Sequence, residues 1–256
     1  MPKAETHNGK YIYCIIQPPQ PCQFSTLGIG ERGDIVHTVN FMQLAAVVSD
    51  TPIVDYEESR RNMMAHTLVL EEVMQQFTLL PVRFGTVAPK AEIIIDQVLK
   101  RRYGELISHL EDVEGRVELG LKAFWYEEIV LREIVEENLP IRHLRDSLMG
   151  RSAEETYYDR IRLGEWINTA MEKKRDEDAE KILERLRPLV YKSRANKVIT
   201  DKMVLNAAFL VERSREAEFD QAVRQLDADM SKRLMFKYVG PVPPYNFVNI
   251  IVHWDE

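Results

Sequence analysis

With 256 residues, 45% hydrophobic content and a formal net charge of -7, the chain can bury a large core and is long enough for one large or two small domains. The acidic balance argues against nucleic-acid binding, because neutralising phosphates takes a basic surface, and no apolar run approaches the roughly 18 residues that cross a bilayer. The polar opening, residues 1 to 10, lacks the apolar centre of a signal peptide, so an intracellular location is expected.

Hydrophobic periodicity gives an order of elements for the first half. Residues 11 to 16 (YIYCII) are an almost continuous apolar run, as in a strand covered on both faces, and Cys14 within it is expected to be a reduced, buried thiol. Cys14 and Cys22 are too few for a disulfide framework and lack the spacing of a redox or zinc pair. Residues 18 to 33, rich in Pro and Gly, read as a long loop. Strands at 35 to 39 and 44 to 49 follow as a hairpin. Asp55 and Glu58 have capping-box spacing before a helix whose face carries Met63, Leu70, Met74 and Phe77 and which should end near Leu79, because Pro81 cannot continue it. Val82, Phe84 and Thr86 alternate as in a strand. A helix then starts at Pro89 and runs to Glu111, with a break at Gly104. Lys100, Arg101 and Arg102 read as a solvated face of it.

In the second half, Val117, Leu119, Leu121 and Ala123 have the period-two pattern of a half-buried strand. A helical region starts near Tyr126, is interrupted at Pro140, and resumes after Ser152 as a long helix ending before Pro188. Residues 172 to 181 (EKKRDEDAEK) are charged everywhere except Ala179 and offer no face to bury, so this arm is expected to project into solvent. Strands at 189 to 199 and 203 to 211 come next, then a helix capped by Ser214 with Phe219, Ala222, Val223, Leu226 and Met230 on one stripe, then a strand carrying Leu234, Phe236 and Tyr238. The order β, α, β, β, α, β is that of a ferredoxin-like split βαβ unit enlarged by a helical crossover. The first half repeats this order with a loop in place of the first helix. The expectation is an α+β chain of two ferredoxin-like domains, residues 1 to 112 and 113 to 256, the second with a long, coiled-coil-like helical insertion over 126 to 187.

No catalytic constellation emerges. Gly28, Gly30 and Gly33 spell G-x-G-x-x-G, but the fingerprint must open a helix, and here a strand follows. The six histidines form no i, i+4 metal pair, and His66 reads as a packed or hydrogen-bonded side chain. No Gly-x-Ser-x-Gly or Walker lysine is present, and the helical carboxylates read as solubilising i, i+4 partners. The expectation is no enzyme, no metal and no cofactor.

Two stretches stand out, LLPVRFGTV at 79 to 87 and GPVPPYNFV at 240 to 248. In the second, three prolines fix φ and withhold donors, so the segment should form a rigid, extended connector holding Tyr245 and Phe247. These aromatics either plug the end of the second domain's core, or Tyr245 is exposed and anchors a partner. In the first, Phe84 should face the core, and Arg83 is either paired with a helix carboxylate or free to bind a partner's carboxylate bidentately. The candidate partner-binding residues are thus Arg83, Phe84, Tyr245 and Phe247. The two stretches, in order with the strand of Tyr11, Ile12 and Tyr13, the strand from Leu44 to Ser49, and His66, Val69 and Leu70, resemble the signatures of the F/L family of gas vesicle proteins. The resemblance implies two ferredoxin-like domains in a minor structural or assembly component of the gas vesicle. It implies contact with the small, hydrophobic major shell protein during nucleation or growth, and with other assembly proteins, at the shell of the buoyant organelle and not at a lipid membrane. The alternative on fold alone is a regulatory protein that binds an effector or nucleic acid.

Overall fold

The structure, a computed structural model, describes residues 8–254; most of the polar opening, including His7, lies outside them. The chain divides into two compact units, residues up to Glu118 together with those from Pro241 onward, and Leu119–Gly240. Each has an antiparallel sheet, and the whole is α+β with one long helix.

The first unit is built on β1 (Asn8–Ile16), β2 (Gln23–Leu27), β3 (Ile35–Phe41), β4 (Leu44–Pro52) and β5 (Leu79–Pro81), in the spatial order β2-β3-β4-β1-β5, with β6 (Val87–Ala88) also paired to β1. Without β2 this is the strand order of a split βαβ unit. The apolar run of β1 is central and fully buried, as its composition requires. On one face, Tyr11, Tyr13 and Val47 pack against Val69, Leu70 and Val73 of α1 (Arg60–Gln76). On the other lie α2 (Ala91–Ile93), the π-helix Ile94–Lys100 that continues it, and α3 (Tyr103–Val113). The wider π turn lets Ile94, Val98 and Leu99 all face inward.

Several local expectations are corrected. The loop at 18 to 33 contains β2, tied to α1 by the Glu72 carboxylate, which accepts from Ser25 N (2.8 Å) and Thr26 N (2.8 Å). Partial burial works to raise the Glu72 carboxyl, but the side-chain hydrogen bonds from Ser25 and Thr26, with these backbone donors, outweigh it and bring its pKa down to about 2. The three glycines serve turns and close approach: a Cβ on Gly28 would lie 2.5 Å from the Ser49 side chain, and Gly30 and Gly33 have φ of +92° and +77°. The helix capped by Ser59 has its core face at His66, Val69, Leu70 and Val73, leaving Met63 exposed. The later break falls at Arg101 and Arg102, not Gly104.

The second unit runs β7 (Arg116–Trp125), α4 (Glu127–Glu137), α5 (Leu139–Ser147), α6 (Tyr157–Leu186), β8 (Lys192–Ala195), β9 (Met203–Glu212), α7 (Glu216–Met230) and β10 (Leu234–Val242). The sheet order β10-β7-β9-β8 is the ferredoxin-like one, with β7 and β9 buried in the middle. The helical region breaks at Asn138, and Pro140 sits in the first turn of α5, as suits a residue without an N–H. A 3-10 turn, Arg213–Arg215, precedes α7, which has no side-chain cap, so Ser214 is not one.

The charged run on α6 is not wholly solvated. Asp178 is 1% exposed, and Ile182 and Leu186 beyond it are buried. Asp178 accepts from Trp125 Nε1 (3.0 Å) and from both terminal nitrogens of Arg233 (3.2 and 2.9 Å). Arg233 also pairs with Glu133, which with Glu137 holds Lys174. A fully hydrogen-bonded network of this kind can sit in a low-dielectric site that a lone charge could not. The C-terminal half of α6 is therefore clamped to the sheet, while Tyr157, Tyr158, Ile161 and Trp166 on its first half are exposed.

Candidate functional site

The two signature stretches meet in the first unit. Residues 82 to 86 form a turn between β5 and β6, not the strand their alternation suggests: Gly85 has φ of +80°, and Thr86 Oγ1 donates to Arg83 O (2.6 Å). GPVPPYNFV is likewise not an extended connector. β10 runs on to Val242, and the chain then turns, with Tyr245 N donating to Pro243 O (2.7 Å) and Val248 N to Pro244 O (2.9 Å). Beyond the turn Ile250 forms a parallel bridge with Val82, and Arg83 N donates to Ile250 O (3.2 Å).

Two side-chain clamps hold the returning segment. Glu118, 3% exposed, accepts from Asn246 N (2.8 Å) and Asn246 Nδ2 (2.5 Å). Arg102 donates to Ile251 O (3.0 Å) while gripping both oxygens of Glu105 (2.8 and 2.6 Å). Neither Glu118 nor Asn246 was singled out by pattern: Glu118 lies between Val117 and Leu119, where alternation assigns it to the polar face.

Met63, Val82, Phe84, Tyr245 and Val248 thereby form the walls of a largely apolar groove of about 330 Å3, with His66 and Thr67 at its edge. Phe84 stands edge-on to His66 and Tyr11, with ring centroids 5.5 and 6.2 Å apart. Tyr245 is 42% exposed, yet burial of its hydroxyl pushes the phenol up to about 12 against the hydrogen bond to Thr67. Arg83 is exposed and belongs both to the groove and to a second, more polar concavity of about 560 Å3 lined by Asp55, Tyr56, Glu58, Thr86 and His253. Phe247, the fourth sequence candidate, is half-buried in the turn and does not line the groove. Met64 and Leu68 of α1 are also exposed. A signal for this existed in the sequence, since neighbours on a helix such as Met63 and Met64 cannot both face one core.

Beneath the groove His66 is held as a neutral imidazole. The Tyr11 hydroxyl accepts from Gly85 N (3.0 Å) and lies 3.0 Å from His66 Nδ1, which in the matching tautomer accepts its proton. Burial drives the His66 pKa down to about 4. Because the folded value lies below the ordinary 6.5, the unfolded chain takes up the proton first. The contribution of this group is fully present above pH 6.5 and is lost as pH falls through about 4, on the order of 3 kcal/mol. Urea unfolding at a series of pH values should show this slope in the wild type and a flatter one in His66→Gln; equal slopes would assign the effect to another group.

Among the described residues no group of His, Cys, Asp and Glu could hold a metal ion, and no helix is long and apolar enough to cross a membrane. The chain matches the family described as gas vesicle synthesis protein GvpL/GvpF over residues 9–249. It belongs to the GvpL/GvpF family. Gas vesicle protein F of Nostoc sp. is 28% identical over 95% of this chain and 99% of its own length, and that of a Streptomyces sp. is 31% identical over 93% and 98%. Gas vesicle protein L1 of Halobacterium salinarum is 23% identical over 94% and 90%. The crystal structure of GvpF from Anabaena sp. superposes with a TM-score of 0.84 at 27% identity, covering 95% of this chain and 99% of that one. That of GvpF from Microcystis aeruginosa gives 0.78 at 28% identity, covering 93% and 98%. As a GvpL/GvpF member the chain is a gas vesicle component, and the family description names no enzyme class.

Proposed function

We propose that this protein acts in gas vesicle assembly by binding the major shell protein through its first unit, with the exposed half of α6 serving as a contact for other assembly proteins. The observation that carries this reading is the apolar groove bounded by both signature stretches, on a helix that also exposes Met64 and Leu68. An exposed apolar patch with rigid aromatic walls suits a small hydrophobic partner. Arg83, Phe84 and Tyr245 form the docking face; Phe247 supports the turn that presents Tyr245.

Co-flotation with washed vesicles tests it. The wild-type chain should float with them, and Met64→Asp combined with Leu68→Asp should weaken retention roughly tenfold or more, equivalent to about 1.4 kcal/mol. A wild-type chain that stays in the soluble fraction and fails to capture purified shell protein would sink the shell-binding role. For the arm, deletion of residues 150 to 187 is unsuitable because it removes Asp178, Ile182 and Leu186 from the core. Tyr158→Ser with Trp166→Ser should leave shell retention intact and block vesicle formation; loss of shell retention instead would reverse the roles of the two units.

A further inference from the structure

We infer that Arg83 and the groove beside it recognise a short segment of the shell protein in which a large apolar side chain stands next to an aspartate or glutamate. This rests on the shell-binding reading and adds the chemistry of what is bound.

The guanidinium is the first ground. Arg102, Arg187 and Arg233 each spend their charge on a carboxylate of this chain, at Glu105, Glu180 and Asp178. Arg83 is exposed and makes no side-chain hydrogen bond or ion pair among the described residues. Its backbone, by contrast, is fixed on both sides, by Arg83 N donating to Ile250 O and by Thr86 Oγ1 donating to Arg83 O. A planar fork on an anchored stem is preorganised for bidentate contact with a carboxylate, which a lysine ammonium is not.

The surroundings decide where that carboxylate sits. On the polar side of Arg83 the concavity is lined by Asp55 and Glu58, whose like charge disfavours a second acid there. On the other side the groove is lined by Thr67, Asn249 and the Tyr245 ring and by no acidic residue, Glu71 and Glu118 lying near Tyr245 but outside the lining. A partner carboxylate therefore approaches from the groove side. The groove floor is apolar and its volume of about 330 Å3 admits a leucine- or phenylalanine-sized side chain. Phe84 is pinned against Tyr11 and His66, so little ordering cost falls on the protein when the side chain enters.

The test uses the full chain, short overlapping peptides spanning the major shell protein, and washed vesicles. Peptides that bind should share an apolar residue adjacent to Asp or Glu. Arg83→Glu should weaken them by about 10- to 100-fold and Arg83→Lys by less, because a point charge replaces a fork. Converting the peptide's acid to lysine should restore binding to Arg83→Glu. The exposed Arg83 side chain makes no hydrogen bond or ion pair among the described residues, and Arg83→Gln, with no new charge, gives the same readout without repulsion from Asp55 and Glu58. Vesicles and peptides that bind Arg83→Glu as tightly as wild type would overturn the inference and leave shell binding standing. A wild-type chain that binds neither would remove both.

Discussion

Replacing Asp178 by alanine is expected to cost the Leu119–Gly240 unit about 3 to 5 kcal/mol, the usual consequence of taking one member from a buried ion pair. The variant leaves Trp125 Nε1 without its acceptor and Arg233 with Glu133 alone, where only the quarter-exposed Arg233 side chain keeps contact with water. Asp178→Asn, which keeps an acceptor for Trp125 but removes the charge facing Arg233, should fall between. Urea unfolding followed by circular dichroism checks this, the transition of this unit being read separately if the two units unfold in steps. A loss below about 1 kcal/mol would show that the network is as dispensable as a surface pair. Hydrogen exchange adds a local readout: with the clamp gone, the amides of residues 170 to 186 should lose protection before those of β9 do.

A second large effect is expected at Glu118. Glu118→Ala removes both acceptors of Asn246 and should cost roughly 3 to 5 kcal/mol, since hydrogen bonds to a charged acceptor contribute about 1.5 to 3 kcal/mol each. The loss should be local. Residues 243 to 251 should become cleavable by added protease while the core of β1 and α1 stays protected, because the bridge at Ile250 and the Arg102 contact alone are weak tethers. Binding that depends on Tyr245 should fail in the same variant. A turn that stays protease-resistant without Glu118 would mean that the prolines alone hold it.

The sheets and their order were legible because their signals are local and redundant: YIYCII could only be a covered strand, and the β, α, β, β, α, β succession of the second half leaves few topologies. The site was legible in composition but not in shape. Val82, Phe84 and Thr86 satisfy strand alternation, and only the positive φ of Gly85, which sequence does not report, turns the chain there. Asp178 sits in a run that is charged everywhere except Ala179, so periodicity assigns it to solvent; its burial depends on Trp125 and Arg233, about fifty residues away on either side. Glu118 fails in the same way, with a partner 128 positions distant. Long-range polar pairs leave no mark in a period, whereas apolar faces do. The return of residues 241 to 254 to the first unit is likewise carried by Glu118 and Arg102.

That return imposes an order on biosynthesis. A ribosome that has passed Gly240 has already delivered everything the Leu119–Gly240 unit requires, but neither Tyr245 nor Val248 nor the strand-like contact at Ile250 has emerged. At roughly 5 to 20 residues per second, the nascent chain spends about 0.5 to 2 seconds between Gly240 and Ile250 with its helical arm delivered and its groove still missing a wall. Under the proposed role, an apolar partner made in the same cell meets a finished docking face only on chains whose scaffold is complete, and stalled or truncated chains lack it.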